Sequence, residues 1–256
     1  MACVISVFSG NGGTGKSFFA CNLAYGLKSR NKRVLLVEAS FGARAADIIL
    51  GISSDSIYTF SDICLGECKA YESVIKSEDL NLPDFISAGS EYSKSNPEIG
   101  IASIVKSQSS AYDFIVFDLS SCFDSVFDSA VKNSDIAIAV TDDSFISVRN
   151  TSLAMVRARK LECKKSCVVL NNVMVNDNGT CAEDVADEIG AEILGIIPSD
   201  EYVKTSFLNS DPIYRYNTYA GRSLENICKR IAGESVCDFE TGVSGGFFSK
   251  NKLVLK

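Results

Sequence analysis

Six short apolar runs recur along the chain. They are Val-Ile-Ser-Val-Phe at 4–8, Val-Leu-Leu-Val at 34–37, Phe-Ile-Val-Phe at 114–117, Ile-Ala-Ile-Ala-Val at 136–140, Cys-Val-Val-Leu at 167–170 and Ile-Leu-Gly-Ile-Ile at 193–197. Each has the length of a strand and is nearly continuous in its apolar character, which is how a strand covered on both faces reads. Between the runs, the spacing predicts helices over 17–29, 125–132, 148–161, 182–190 and 220–232. Strands alternating with helices imply an α/β fold, a mostly parallel doubly wound sheet with helices on both faces. Ligands of such sheets lie beyond the carboxyl ends of the strands. Chemistry is therefore expected in the segments that follow the runs, at 9–17, 38–42, 118–123, 141–148, 171–173 and 198–200. The stretch 81–97, rich in Ser, Pro and Asn, is expected to include a surface loop. A tail over 241–256 is expected to lie outside a single domain of residues 1–240.

Composition narrows the classes. A chain of 256 residues can bury about 70–75% of its unfolded surface, so its core needs no staples. With 46% hydrophobic and 22% charged residues it reads as a soluble globular protein. A net charge of −7 repels phosphate backbones, so no nucleic-acid partner is expected. Ten Cys, no His and no Cys-x-x-Cys pair point to reduced thiols packed as small hydrophobes in a cytoplasmic protein. Cys64/Cys68 and Cys163/Cys167 are each four apart. On a helix that spacing would share one face, but without His it is a weak metal signal. The N-terminus reads as a strand that starts almost at once, with no signal peptide, and no apolar run reaches the ~18 residues of a spanning helix.

The first run is followed by Ser9-Gly10-Asn11-Gly12-Gly13-Thr14-Gly15-Lys16-Ser17, in which Gly10, Gly15, Lys16 and Ser17 satisfy G-x-x-x-x-G-K-[ST]. The chemistry needs this spacing. Glycines let successive backbone N–H groups turn inward as an anion cradle, and the following helix presents its positive end to phosphate. Lys16 is expected to reach the β- and γ-phosphates of ATP, and the Ser17 hydroxyl to ligate Mg2+. Asp118, ending an apolar run, is the expected second magnesium residue, acting through water.

Residues 10–17 resemble the deviant Walker A loop of the MinD/ParA ATPases, whose usual form is G-K-G-G-x-G-K-[ST]. The likeness continues in ordered segments. Residues 34–51 are similar to the family's switch I, and 58–63 with Gly66 to the next helix. Tyr112-Asp-Phe-Ile-Val-Phe-Asp118 resembles the Walker B strand, and Ser147-Val-Arg149, the Gly195 to Asp200 stretch and Asp211-Pro212-Ile213 also match. The resemblance covers about residues 2–232 and is nearer MinD than ParA. It implies a P-loop NTPase fold that takes ATP/ADP and Mg2+. Gly10, Asn11, Gly12, Gly13, Thr14, Gly15, Lys16, Ser17 and Phe18 would hold the phosphates, and Asn171, Pro198 and Asp200 the base. An Asn amide can pair donor and acceptor with the adenine edge; the alternative for Asn171 is a strand-end turn former. Lys16, Glu38 and Asp118 would serve hydrolysis, and Ser17 and Asp118 the metal. The family likeness further implies an ATP-dependent homodimer that engages a protein partner and the anionic inner face of the cell membrane, and so positions division or polar pilus machinery. The segment 245–256, with three Lys and five large apolar residues, resembles the family's membrane-targeting tail in composition. Asn251 and Lys252 interrupt its apolar face, and a frayed tail is the alternative.

The pattern breaks where hydrolysis is concerned. The family's signature lysine is Asn11, the second switch I aspartate is Ser40, and the first is Glu38. The residues after Asp118 are Leu-Ser-Ser-Cys-Phe where the family usually has Pro and Gly, and Asn150 stands where MinD proteins carry Asp. An uncharged Asn11 supplies no electrostatic stabilisation to a neighbouring phosphate. Nucleotide holding is therefore expected to survive and turnover to weaken, unless Glu38 or Asp47 substitutes. A non-hydrolysing, nucleotide-bound scaffold is the alternative. An iron–sulfur carrier is a third reading, supported by Cys122 and opposed by the missing Cys-x-x-Cys pairs.

Overall fold

Seven parallel strands form one sheet in the order β3-β2-β4-β1-β5-β6-β7. They are β1 Cys3–Phe8, β2 Val34–Ala39, β3 Asp84–Ile86, β4 Phe114–Leu119, β5 Ile136–Thr141, β6 Lys165–Val173 and β7 Glu192–Pro198. The computed structural model describes residues 1–39, 45–52, 56–79, 81–89, 96–174 and 182–236. Ser40, Cys181, Cys237, the boundary at 240 and the tail over 241–256 lie outside them. The apolar runs became strands because helices cover both sheet faces. Within β1, Val4 and Phe8 enter one core while Ile5 and Val7 enter the other, the period-two alternation of a pleated strand.

Helices α1 Lys16–Lys28, α2 Ala46–Leu50 and α9 Tyr219–Ile231 close one face, through Phe19, Leu23, Ile49, Leu224 and Ile227. Helices α3 Phe60–Leu65, α4 Pro97–Gln108, α5 Ser125–Lys132, α6 Phe145–Lys160 and α7 Ala182–Ile189 close the other, through Phe60, Ile101, Phe127, Met155 and Val185. Each such side chain contributes about 1.5–3 kcal/mol by leaving water. A further helix, α8 Tyr202–Asn209, packs against α2.

Helix starts follow their caps. Helix α5 begins where Asp124 accepts from the N–H groups of Val126 and Phe127, at 3.0 Å each. Helix α6 starts three residues before the expected 148 because Ser144 accepts the Ser147 N–H. The stretch expected to include a surface loop, 81–97, holds the edge strand β3 and ends in α4, where Asn96 caps and Pro97 takes the first turn. Three residues are too few to register as an apolar run; β3 exists because Phe85 and Ile86 pair with β2.

Neither Cys pair shares a helix face. Helix α3 ends at Leu65 with Gly66 left-handed, before Cys68. Cys163 lies between α6 and β6, and Cys167 within β6. Burial pushes the thiols of Cys64, Cys167 and Cys228 up to about 12, so they pack as neutral small groups. Among the described residues, no group of three or more Cys, Asp or Glu is arranged to hold a metal, and no helix is long and apolar enough to cross a membrane.

Candidate nucleotide site

Adjacent strands β1 and β4 send their connections to opposite faces: β1 leads into α1 and β4 into α5. A crevice at such a switch point is where open α/β sheets bind ligands. Residues 9–15 turn there from β1 into α1. Gly10 packs so tightly on α6 that an added Cβ would stand 2.3 Å from the Asn150 carbonyl carbon and the Thr151 nitrogen. Gly15 ends the turn in the left-handed region at φ +84°, and a Cβ on it would stand 2.2 Å from the Asn171 Nδ2. Helix α1, 13 residues long, has no side-chain cap and no acidic residue in its first turn. Its positive end is thus neutralised by nothing on its own segment, the condition under which a helix N-terminus takes an anion.

Lys16 Nζ lies 2.9 Å from Asp118 Oδ1 and 3.3 Å from Ser17 Oγ. Parallel registry brings this about, since Asp118 on β4 stands beside Val7 on β1 and Glu38 on β2. Asp118 is fully buried, and its Oδ2 has no hydrogen-bond partner among the described residues. The Thr14 hydroxyl is likewise buried without a partner. Buried polar atoms are normally satisfied, so two such atoms at one crevice fit a bound polar group. The donor set fits magnesium nucleotide. A carboxylate and a hydroxyl are hard oxygen ligands for Mg2+, and Lys16 with the helix end is cationic toward phosphate.

Glu38 is buried at the row's third place. Its Oε1 accepts from the Ala45 N–H at 2.7 Å and the Ala46 N–H at 3.0 Å. It thereby caps α2, whose own N-cap residue, Ala45, offers no side-chain acceptor. Burial raises its pKa from the ordinary glutamate value, and the nearby charges of Asp118 and Asp47 push the same way, against the two N–H bonds. The carboxylate expected to serve hydrolysis therefore also holds a helix in place.

The base residues divide. Asn171, 7% exposed at the end of β6, donates from Nδ2 to the Thr14 carbonyl at 2.8 Å. Asp200 accepts from the Tyr202 N–H at 3.0 Å and the Ala220 N–H at 3.4 Å, so it ties the segment after β7 to α8 and α9. Pro198 is buried as the last residue of β7. The Phe18 ring is buried against Phe207 at 5.7 Å, which leaves its backbone N–H as the only group to offer a phosphate. Cys122 is exposed beyond β4.

A family model described as the CobQ/CobB/MinD/ParA nucleotide binding domain matches residues 5–213. The chain belongs to that family. The septum site-determining protein MinD of Helicobacter pylori is 27% identical over 264 residues, covering 98% of each chain. That of Bacillus subtilis is 26% identical, over 92% of this chain and 91% of its own. Among solved structures, the MinC:MinD cell division protein complex of Aquifex aeolicus superposes with a TM-score of 0.82 at 25% identity, covering 92% of this chain and 98% of that one. The Pyrococcus furiosus cell division ATPase MinD has the same fold, at a TM-score of 0.81. The all-parallel sheet with helices on both faces is thus the P-loop NTPase fold of MinD.

Within this MinD/ParA family member, Asn11 does something the loop motif does not reveal. Its Nδ2 donates to Ser147 Oγ at 3.1 Å and to the Gly12 carbonyl at 3.2 Å. The side chain at the signature-lysine position is therefore bonded to α6 of its own protomer. In the sequence Ser147 stood out only as part of the family-like segment 147–149, just before the expected helix start at 148, with no role of its own. Only its place three residues after Ser144, opposite the loop, gives it this contact.

Proposed function

We propose that the chain is an ATP-binding, MinD-like positioning protein in which nucleotide controls dimer formation and hydrolysis is weakened. The observation that carries the reading is Lys16, held between Asp118 and Ser17 at the uncapped head of α1. Lys16 and the loop N–H groups bind the triphosphate, Ser17 and Asp118 hold Mg2+, and Asn171 with the segment at Pro198 and Asp200 faces the base. When bound, Mg2+ neutralises phosphate charge. Asn11 is uncharged and donates within its own protomer. It therefore supplies no cation to stabilise charge developing on a partner's phosphates, and that argues for slow turnover. By its likeness to septum site-determining relatives, the output is position, through a protein partner and the inner face of the membrane. A tail of the composition of 245–256 binds anionic lipid only marginally as a single copy, and a dimer would double it.

Size-exclusion chromatography tests the switch. The purified protein is expected to elute as a dimer with Mg-ATP and as a monomer without it, and Lys16→Ala as a monomer in both. An unchanged elution volume refutes the switch. It would favour the second reading, a non-hydrolysing scaffold of the same fold, which Asn11 also supports. Phosphate release is expected to be slow. A robust rate that disappears in Lys16→Ala refutes weakened hydrolysis.

A further inference from the structure

The side chain of Asn171 crosses from one strand end to the phosphate loop, 157 residues away in sequence. A residue that merely formed a strand-end turn would bond its own neighbouring backbone. Strand β6 departs from regular pairing where it makes this reach. Its register with β7 shifts between Asn171 and Val173, and Asn172 takes the left-handed region at φ 58°. Bulges of this kind re-aim a side chain, and Asn is among the residues that tolerate that conformation. The loop is shaped to receive the amide, because Gly15 leaves free the volume that a Cβ would occupy, 2.2 Å from Nδ2.

The bond falls on one peptide. A trans peptide is planar, so its C=O and N–H point in opposite directions. Asn171 draws the Thr14 carbonyl toward β6, which sends the Gly15 N–H the other way. That N–H makes no hydrogen bond among the described residues. It is the last loop N–H before Lys16.

We propose that Asn171 is a positioning residue of the phosphate loop. By holding the Thr14 carbonyl it aims the Gly15 N–H at the phosphates, so it contributes to triphosphate binding independently of the base. The proposal rests on the reading of residues 10–17 as the triphosphate site. The second amide hydrogen and the Oδ1 of Asn171 remain for the base, so one side chain links the two halves of the ligand.

Calorimetric titration with Mg-ATP and with Mg-tripolyphosphate, which has no base, separates the roles. Asn171→Ala is expected to weaken tripolyphosphate by about tenfold, the effect of one buried carbonyl left unpaired, and ATP by at least as much, because ATP also loses its contact to the base. Asn171→Leu keeps the shape of the side chain without the donor. It should give the same result, and carries the test if the alanine variant does not fold. Hydrogen exchange in the ligand-free variants should quicken at residues 10–17 and not in β6. A variant that loses ATP affinity but binds tripolyphosphate like the wild type would make Asn171 a base reader only, and the proposal would fail while the nucleotide site stood. A wild-type protein that binds neither ligand overturns the site itself and the proposal with it.

Discussion

Removing the cation from the Lys16–Asp118 pair tests the site and its energetics together. In Lys16→Met, Asp118 loses its partner while remaining fully buried, with its Oδ2 already without a hydrogen bond among the described residues. At the 2.9 Å separation and an effective dielectric constant of about 20, Coulomb's law gives about 6 kcal/mol of attraction. Desolvation offsets part of this, and breaking one side of a buried pair costs about 3–5 kcal/mol, because a charge is left uncompensated. Replacing both partners removes that charge, so Lys16→Met/Asp118→Leu should recover most of the loss. Urea denaturation without nucleotide measures all three proteins. Repeating it with Mg-ATP at a hundred times its Kd should add about 2.7 kcal/mol to the wild type and nothing to either variant. A Lys16→Met protein within 1 kcal/mol of the wild type would refute the buried-pair reasoning. Equal stabilisation of the wild type and Lys16→Met by nucleotide would refute the assignment of Lys16 to the phosphates.

Gly15→Ala places a Cβ on a left-handed residue and 2.2 Å from Asn171 Nδ2. It should cost about 1–2 kcal/mol from backbone strain alone, plus the Thr14 bond, with ATP affinity lost in the same titration. Because the clash and the bond share Asn171, adding Asn171→Ala should cost less in this background than in the wild type, which a double-mutant cycle reads directly. At the opposite end of the sheet, Arg33 lowers the Asp113 pKa from 3.8 to about 2, through its side chain and its backbone N–H. A depressed carboxylate stabilises the fold above its unfolded pKa and stops doing so as pH falls through its folded value. Asp113→Asn should therefore be less stable than the wild type at neutral pH, and the gap should close between about pH 4 and pH 2. The pair is solvent-exposed, so the difference should stay under about 1 kcal/mol; denaturation at several pH values checks both sign and size.

The phosphate loop and the strands were legible because their signals are local. A continuous apolar run reports burial on both faces, and Gly15-Lys16-Ser17 reports a turn that only glycine permits. The edge strand β3 was not legible. It is three residues long, and its pairing with β2 gives it its identity. The starts of the five expected helices were readable to within a turn, since residues such as Ser144 and Asp124 choose the first residue through single side-chain bonds, whereas α2, α4 and α8 went unread.

The chain's own order of residues determined the fold class, the family and the loop proposed to take phosphate. All of these follow from periodicity and from short motifs whose parts are neighbours in sequence. Tertiary structure decided what the polar side chains do on arrival. Asp118 meets Lys16 because β4 lies beside β1. Glu38 caps α2, Asn11 bonds Ser147, and Asn171 holds the Thr14 carbonyl. These partners lie 7, 8, 136 and 157 residues apart in sequence. A short polar side chain commits to whichever donor or acceptor the packed backbone brings within about 3 Å, and residue type alone does not encode that choice.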